Sequence, residues 1–173
     1  MNKLLVLLLE KLLEAFKGKP VAAPNSVVVG YATCFGLDYD TGKRDPEDNG
    51  LGAWGAHTAN KDVIGVSLPE KVYLRTFGIE GDWSSGARSV GKFLSESKIQ
   101  VAVSKDGKTV LADVVDAGPA AWAVAKNHVV IDLTYALAHQ LDTKGKAIVS
   151  YSIIKDGKPM EIKGWDFVHG KVL

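Results

Sequence analysis

The fold is decided by two segments: residues 114–119, which read Val-Val-Asp-Ala-Gly-Pro, and residues 131–134, which read Ile-Asp-Leu-Thr. In the first segment Asp116 ends an apolar strand just before a Gly-Pro turn, a position that exposes a side chain at a sheet rim. In the second, Asp132 lies within the apolar strand 129–133, where a carboxylate is costly to bury without a partner. Thr134 can cap the helix that apolar spacing predicts over 135–141. We expect the two segments to meet side by side and to bring these two acidic side chains to one accessible cleft.

Short β-rich runs fill the rest of the chain from residue 27 onward. Residues 106–107 and 156–157 are both Asp-Gly, a pair that marks a tight hairpin between flanking strands. A helical turn is expected near 90–94. The predicted strands are 27–35, 62–68, 71–77, 99–104, 109–115, 129–134 and 147–154. Short strands with a single helix inserted late favour a closed barrel over a parallel α/β sheet.

Three pieces of the chain carry a resemblance. Residues 30–36 form an opening strand with a hydroxyl residue and aromatics, and residues 62–74 form a strand, proline turn, strand unit. Residues 114–119, 131–134 and 145–151 form the third piece, an Asp-x-Gly-Pro, Ile-Asp-Leu-Thr, helix, Gly module. In this order they resemble the double-psi β-barrel group that includes expansins, rare lipoprotein A-like proteins and the barrel domain of lytic transglycosylases. The resemblance spans roughly residues 29–154 and implies a mainly β fold, a six-stranded double-psi β-barrel.

The chain also departs from that group. The loops 36–52 and 78–97 match no family pattern, and the cysteines of plant expansins and a second carbohydrate-binding module are absent.

The N-terminal residues differ in composition from the predicted barrel domain. Residues 1–19 predict an amphipathic helix, 20–26 a linker, and 27–173 the barrel domain. The segment begins like a signal peptide, but charges at positions 10, 11 and 14 leave an apolar run too short to span a membrane. Residues 3–17 could pack on the barrel, pair with another copy or lie on a membrane surface.

Composition excludes several partners. The formal net charge is +1 and the basic residues are scattered, so nucleic-acid binding is not expected. Cys34 is the single cysteine, which excludes an internal disulfide and favours a buried structural thiol. The four histidines lack metal-ligand spacing, and the acidic loop around Asp38 and Asp48 lacks the pattern of a calcium-binding EF-hand. We predict no metal and no organic cofactor.

Acid/base cleavage of a glycosidic bond needs a carboxyl group that stays protonated near neutrality. The resemblance implies this role for Asp116 and Asp132, with Thr33 facing the same groove. Alternatives are structural: Asp132 could cap the helix or accept backbone N–H groups, and Asp116 could form a turn. His57, in a Gly-rich stretch, could carry a proton or lie exposed without a role. An acid of the loop 36–52 could instead supply the second carboxylate.

Aromatic rings are the candidate sugar contacts. Trp54, Trp83 and Trp122 fall in predicted loops, where they could stack on sugars or simply pack. Tyr31 and Tyr73 are expected in the core, with Tyr31 of the opening strand also a candidate substrate contact.

The first functional hypothesis is an enzyme that cleaves peptidoglycan glycan strands in the manner of a lytic transglycosylase. The alternatives are an expansin-like protein that binds and loosens wall polysaccharide without cutting it, and a structural barrel without activity. The implied partner is a polysaccharide, with peptidoglycan favoured. The implied location is the cell envelope or the outside of the cell, and a phage lysis protein would also fit.

Overall fold

The computed structural model describes residues 25–44, 46, 48–79, 90, 93–94 and 96–172. The predicted N-terminal helix, most of the linker and Trp83 lie outside these residues. The end of the linker is held on the barrel, because Ser26 is buried and the Asn25 carbonyl accepts a hydrogen bond from the Ile162 N–H at 2.8 Å. Within the described ranges, none of the helices has the length and apolar character that crossing a bilayer requires.

The described chain is mainly β, with a few short helices. Residues 90, 93, 94 and 96 are helical, as predicted for this region. The other helices are α1 (Glu70–Phe77), α2 (Ala121–Asn127) and α3 (Tyr135–Gln140). The strands are β1 (Val28–Phe35), β2 (Gly65–Leu68), β3 (Ile99–Lys105), β4 (Lys108–Ala117), β5 (Val129–Thr134), β6 (Lys146–Lys155), β7 (Lys158–Pro159), β8 (Trp165–Asp166) and β9 (Lys171–Val172).

Six of these strands close into a barrel. Their order around the ring is β1-β5-β2-β4-β3-β6, and β6 pairs again with β1. The pairs β1/β5 and β2/β4 are parallel, and the other four contacts of the ring are antiparallel. Closure leaves the ring without a free strand edge, which is a common solution for small β folds. The predicted closed six-stranded barrel is confirmed.

Alternating apolar residues of the strands fill the barrel. On β3, the buried residues Ile99, Val101 and Val103 alternate with partly exposed ones, as the two-residue repeat of a strand requires. Val66 and Leu133, partners across β2 and β5, are both fully buried. Ser67 and Asp132, which follow and precede them along β2 and β5, therefore point to the other face of the sheet.

Both Asp-Gly hairpins are confirmed. Asp106 and Gly107 join β3 to β4 with φ values of 50° and 82°, and Asp156 and Gly157 join β6 to β7 with φ values of 51° and 74°. Two successive positive φ values are the geometry of the tight turn that matches strand twist, and Asp-Gly adopts them easily.

The region after Pro69 differs from the prediction. Residues 71–77 were expected as a strand, but they belong to helix α1, and the strand expected over 62–68 is only Gly65–Leu68. Pro69 precedes the helix, and Gly78 closes it in the left-handed conformation with its N–H bonded to the Leu74 carbonyl. Val72, Tyr73 and Phe77 are residue types common in strands, whereas these terminal signals indicate a helix.

The predicted inserted helix is present as α3, and α1 and α2 accompany it. Helix α2 is rich in alanine, the best helix former, and ends at His128 in the left-handed conformation.

Thr134 precedes α3 as predicted, but its side chain does not cap that helix. Instead, the Thr134 hydroxyl donates to the Val63 carbonyl at 2.6 Å and accepts from the Gly65 N–H at 3.0 Å. The residue therefore fastens the start of β2 to β5, the strand that carries Asp132.

Candidate active site

Four polar residues lie side by side on four neighbouring strands. Thr33 of β1 is the register partner of Asp132 on β5, Asp132 is a partner of Ser67 on β2, and Ser67 is a partner of Asp116 on β4. We call this set the aspartate row. With strands about 4.8 Å apart, the Cα atoms of the two aspartates are separated by roughly 10 Å. The row lies on the outer wall of the barrel, because the neighbouring Val66 and Leu133 fill the interior.

Asp132 is the carboxyl group with the most unusual environment. It is partly buried, and the Thr33 hydroxyl donates a short hydrogen bond to its Oδ1. Burial raises the pKa of Asp132 to about 6, the Thr33 hydrogen bond lowers it in part, and the charge of Asp116 raises it further. Asp132 can therefore hold or release a proton near neutral pH, as a general acid or base must.

Ser67 and Gly118 border the other oxygen of Asp132. A Cβ added to Gly118 would lie 2.9 Å from Ser67 Oγ and 3.5 Å from Asp132 Oδ2. A side chain at Gly118 would therefore clash with the Ser67 hydroxyl and contact Oδ2, so glycine allows this close approach. Sequence reasoning missed Ser67, which is only 2% exposed. The one sequence signal for Ser67 is that its hydroxyl group lies within an otherwise apolar strand, β2.

Asp116 is held by the main chain. Its Oδ1 accepts hydrogen bonds from the N–H groups of Ala53 and Ala117, both at 2.8 Å. Burial raises its pKa, the two N–H groups lower it, and the charge of Asp48 raises it. The bond to Ala117 agrees with the turn-forming alternative, while the bond to Ala53 ties β4 to the loop that carries Trp54 and His57.

Each aspartate thus keeps one oxygen available. Among the described residues, Oδ1 of each accepts hydrogen bonds, and no hydrogen bond reaches either Oδ2. Neither carboxyl group is fully saturated by main-chain amides, and both are only partly buried. Within the described structure, Asp132 therefore has one oxygen without a hydrogen bond, and the Asp116 carboxyl group lies on the same row.

A cavity of about 690 Å³ lies at the end of β1, after Thr33 in the chain. Its walls come from the end of β1 at Cys34 and Phe35 and from the loop that follows, between Gly36 and Asp48. We call it the loop cavity. Burial raises the pKa of Cys34 to about 11, and the charges of Asp38 and Asp132 add to this effect. The Cys34 thiol donates to the Leu37 carbonyl at 3.3 Å, which agrees with the predicted structural thiol.

The remaining predicted residues fall at different distances from the row. His57 is exposed, and within the described structure no hydrogen bond joins its ring to either aspartate. Trp54 is partly buried, donates its indole N–H to the Val114 carbonyl at 2.9 Å and meets the Tyr73 ring edge to face. Its outer face lines a second cavity of about 540 Å³, beside Gln100 and Asp113.

The predicted position is confirmed for Tyr73 and wrong for Trp122 and Tyr31. Trp122 lies on α2 rather than in a loop and is 68% exposed. Tyr31 is 37% exposed, with the Lys146 ammonium over its ring, so its expected place in the core is wrong, whereas Tyr73 is fully buried as expected. No metal-holding group of three histidine, cysteine or acidic side chains occurs among the residues that the structure describes.

No family model and no curated protein matches the chain. A solved structure of Streptomyces papain inhibitor is similar in fold, with 19% sequence identity and a TM-score of 0.46. The match covers 77% of this chain and 98% of the inhibitor.

Proposed function

We propose that this protein is a double-psi barrel that cleaves cell-wall glycan, with Asp132 as the acid/base residue. The observation that carries the proposal is the aspartate row: a carboxyl group with a pKa of about 6, oriented through one oxygen by Thr33, with the other oxygen beside Gly118. The ring order with its two parallel pairs supports the double-psi assignment.

The chemistry needs one titrating carboxyl group. Protonated Asp132 gives its proton to the bridging oxygen as the bond from the anomeric carbon to that oxygen breaks. The carboxylate that remains then takes the proton of a hydroxyl group on the same sugar as this hydroxyl closes on the anomeric carbon. The products are a shortened chain and an anhydro sugar, and the carboxyl group is again protonated. The negative charge of Asp116 stabilises the cationic transition state.

The test is release of soluble anhydro-muropeptides from purified sacculi, measured by mass spectrometry. We expect wild-type protein to release them and Asp132→Asn to lose roughly 10²- to 10⁴-fold in rate. Asp113→Asn is the matched control, because Asp113 is an exposed acid on the same strand as Asp116. Absence of product from the wild type, or equal rates in both variants, would contradict the proposal.

An expansin-like role is the second candidate, and one observation favours it. Asp116 has one oxygen committed to two main-chain amides and lies two strands from Asp132, so only Asp132 is well placed to transfer protons. Retention on insoluble peptidoglycan or cellulose without soluble product would support binding and loosening over cleavage.

A further inference from the structure

The outer wall of the barrel has a second side, away from the two aspartates. The aspartate row occupies β1, β5, β2 and β4, whereas β4, β3, β6 and β1 complete the ring on the other side. At the start of β1, Val27 and Tyr31 are exposed, and Val29 between them is 64% exposed. Ile148 of β6, the register partner of Tyr31, is 60% exposed, and Leu111 of β4 is exposed as well. This side of the barrel therefore presents large apolar side chains to solvent.

Small uncharged residues fill the space between these apolar side chains. The register pairs across the four strands place four of them on the same side of the wall: Ala102, Ser104, Ser150 and Ser152. The hydroxyl groups of Ser104 and Thr109 bond to each other at 2.7 Å. Within the described chain, the charged side chains on this side lie at its borders, Lys146 at one and Asp113 at the other. We call the uncharged area between these two residues the neutral face.

The size of the neutral face suits a single helix. Four strands are about 14 Å wide, and the distance from Val27 to Tyr31 along β1 is about 13 Å, which gives an area of roughly 200 Å². A stable dimer buries about 800 Å² on each partner, so the neutral face alone is too small to hold a second copy of the chain. An α-helix is about 10 Å across and covers a strip of this width with one apolar side. A contiguous apolar area on an outer wall marks a surface that packs against something.

The N-terminal part of the chain joins the barrel at this face. Residues 1–24 lie outside the described residues, and the chain enters the barrel through Asn25 and Ser26 to reach Val27, which belongs to the neutral face. The sequence predicts an amphipathic helix within 3–17, about 22 Å long. The seven residues 18–24 span at most about 25 Å, which is enough for this segment to return alongside β1. A single helix of this length is only marginally stable in water, so it gains most from an apolar surface nearby.

We propose that the apolar side of residues 3–17 packs on the neutral face of its own chain. In this arrangement the leucines of the segment cover Val29 and Ile148, and its charged side, with Glu10 and Glu14, faces water. An uncharged surface is what such an apolar side requires, because no charge on the barrel is then buried without a partner. Asp116 and Asp132 lie on the other side of the ring, so the inference does not depend on the proposed function.

The experiment measures hydrogen exchange of the backbone amides of residues 3–17 in the full chain by mass spectrometry. We expect these amides to be protected in the wild type and to exchange at least roughly tenfold faster in the Val29→Glu/Ile148→Glu variant, because packing would bury the new carboxylates. Both positions are exposed, so the barrel should remain folded, and the amides of β3 serve as the internal reference. If the β3 amides also lose protection, the milder Val29→Ser/Ile148→Ser variant takes its place, with the same expected direction.

Leu51→Glu/Val168→Glu is the control, since it adds the same charge at two exposed apolar positions outside the neutral face, and it should exchange like the wild type. Unprotected amides in the wild type, or equal exchange in the wild type and the Val29→Glu/Ile148→Glu variant, overturn the inference. Protection that is lost on dilution, together with a dimer mass in sedimentation, would assign the segment to a second copy. Protection that requires anionic lipid vesicles would assign it to a membrane surface. Either of these results also overturns packing within one chain.

Discussion

Asp132 is governed by opposing effects. Burial and the charge of Asp116 favour the protonated form, and the Thr33 hydroxyl favours the ionised form. The balance places its pKa at about 6, a value that serves a group which must both give and take a proton. Thr33 is therefore a positioning residue that also adjusts the proton affinity of its partner.

Thr33→Val should move the pH dependence of glycan cleavage. A general acid must be protonated, so the wild-type rate should fall as the pH rises above about 6. Valine has the same shape but cannot donate, so the pKa of Asp132 should rise and the falling limb should move to higher pH. The measurement is the initial rate of product release from pH 4 to 9. A limb that stays in place, or moves to lower pH, would contradict this role of Thr33.

The sequence predicts much of the site at this scale. Asp116, Asp132 and Thr33 were expected in one cleft, and the structure places them in one row. Ser67 could not be found in this way, because its position depends on a long-range pairing of β2 with both β4 and β5. Tyr31 was misplaced for a related reason, since the face of a strand that points inward depends on strand register.

At the scale of elements, polar side chains in the aspartate row and beside it connect separate segments of the chain. Asp116 joins β4 to the loop before Trp54, and the neighbouring Thr134 joins β5 to β2. Hydrogen bonds of this kind are costly to break when buried N–H groups are left without a partner. Two substitutions measure these connections.

Asp116→Ala should destabilise the protein more than Asp116→Asn. Alanine leaves the Ala53 and Ala117 N–H groups without their acceptor, at a cost of about 1–3 kcal/mol in the free energy of unfolding. Asparagine keeps a carbonyl oxygen that can accept from both. Urea unfolding of the three proteins gives the comparison. Equal losses in the two variants would show that the charge of Asp116, rather than its hydrogen bonds, holds the loop.

Thr134→Val should lower the free energy of unfolding by about 2–4 kcal/mol, because it removes a buried donor and acceptor together. Thr109→Val is the control: Thr109 is exposed and bonds only across the hairpin to Ser104, so its loss should stay within about 0.5 kcal/mol. Chemical denaturation measures both. A similar loss at the two positions would mean that the Thr134 hydrogen bonds between β5 and β2 stabilise the fold no more than the exposed bond of Thr109.

The elements themselves were predictable where local chemistry decides them. The two Asp-Gly turns and strands β1, β3, β4, β5 and β6 follow from short-range signals. Helix α1 was mistaken for a strand because Val72, Tyr73 and Phe77 are residue types common in strands, although they belong to a helix. Apolar spacing over so few residues fits both periods, and only the Pro and Gly at the ends distinguish them.

For the whole molecule, closure of the barrel opposes the ionisation of Asp132. The closed ring fixes β1, β5, β2 and β4 side by side, which excludes water from part of the row. The same exclusion makes an ionised Asp132 unfavourable in the folded state. The site is therefore maintained at the expense of stability at neutral pH.

This conflict predicts how stability depends on pH. Asp132 has a pKa of about 6 in the folded state, above the ordinary value of 3.8, so its contribution to the free energy of unfolding is fully present below pH 3.8 and is lost as the pH rises through 6. This difference between the folded and unfolded pKa corresponds to about 3 kcal/mol. Relative to wild type, Asp132→Asn should therefore gain about that much stability between pH 4 and pH 7.5 in urea unfolding. Asp142→Asn is the control, because its bond to Lys144 lowers the pKa of Asp142 from 3.8, so the contribution of Asp142 is already complete above that pH and the variant should run parallel to wild type from pH 4 to pH 7.5. Parallel wild-type and Asp132→Asn curves would mean that the carboxylate is well solvated, and Asp132 would then lack the raised proton affinity that its catalytic role requires.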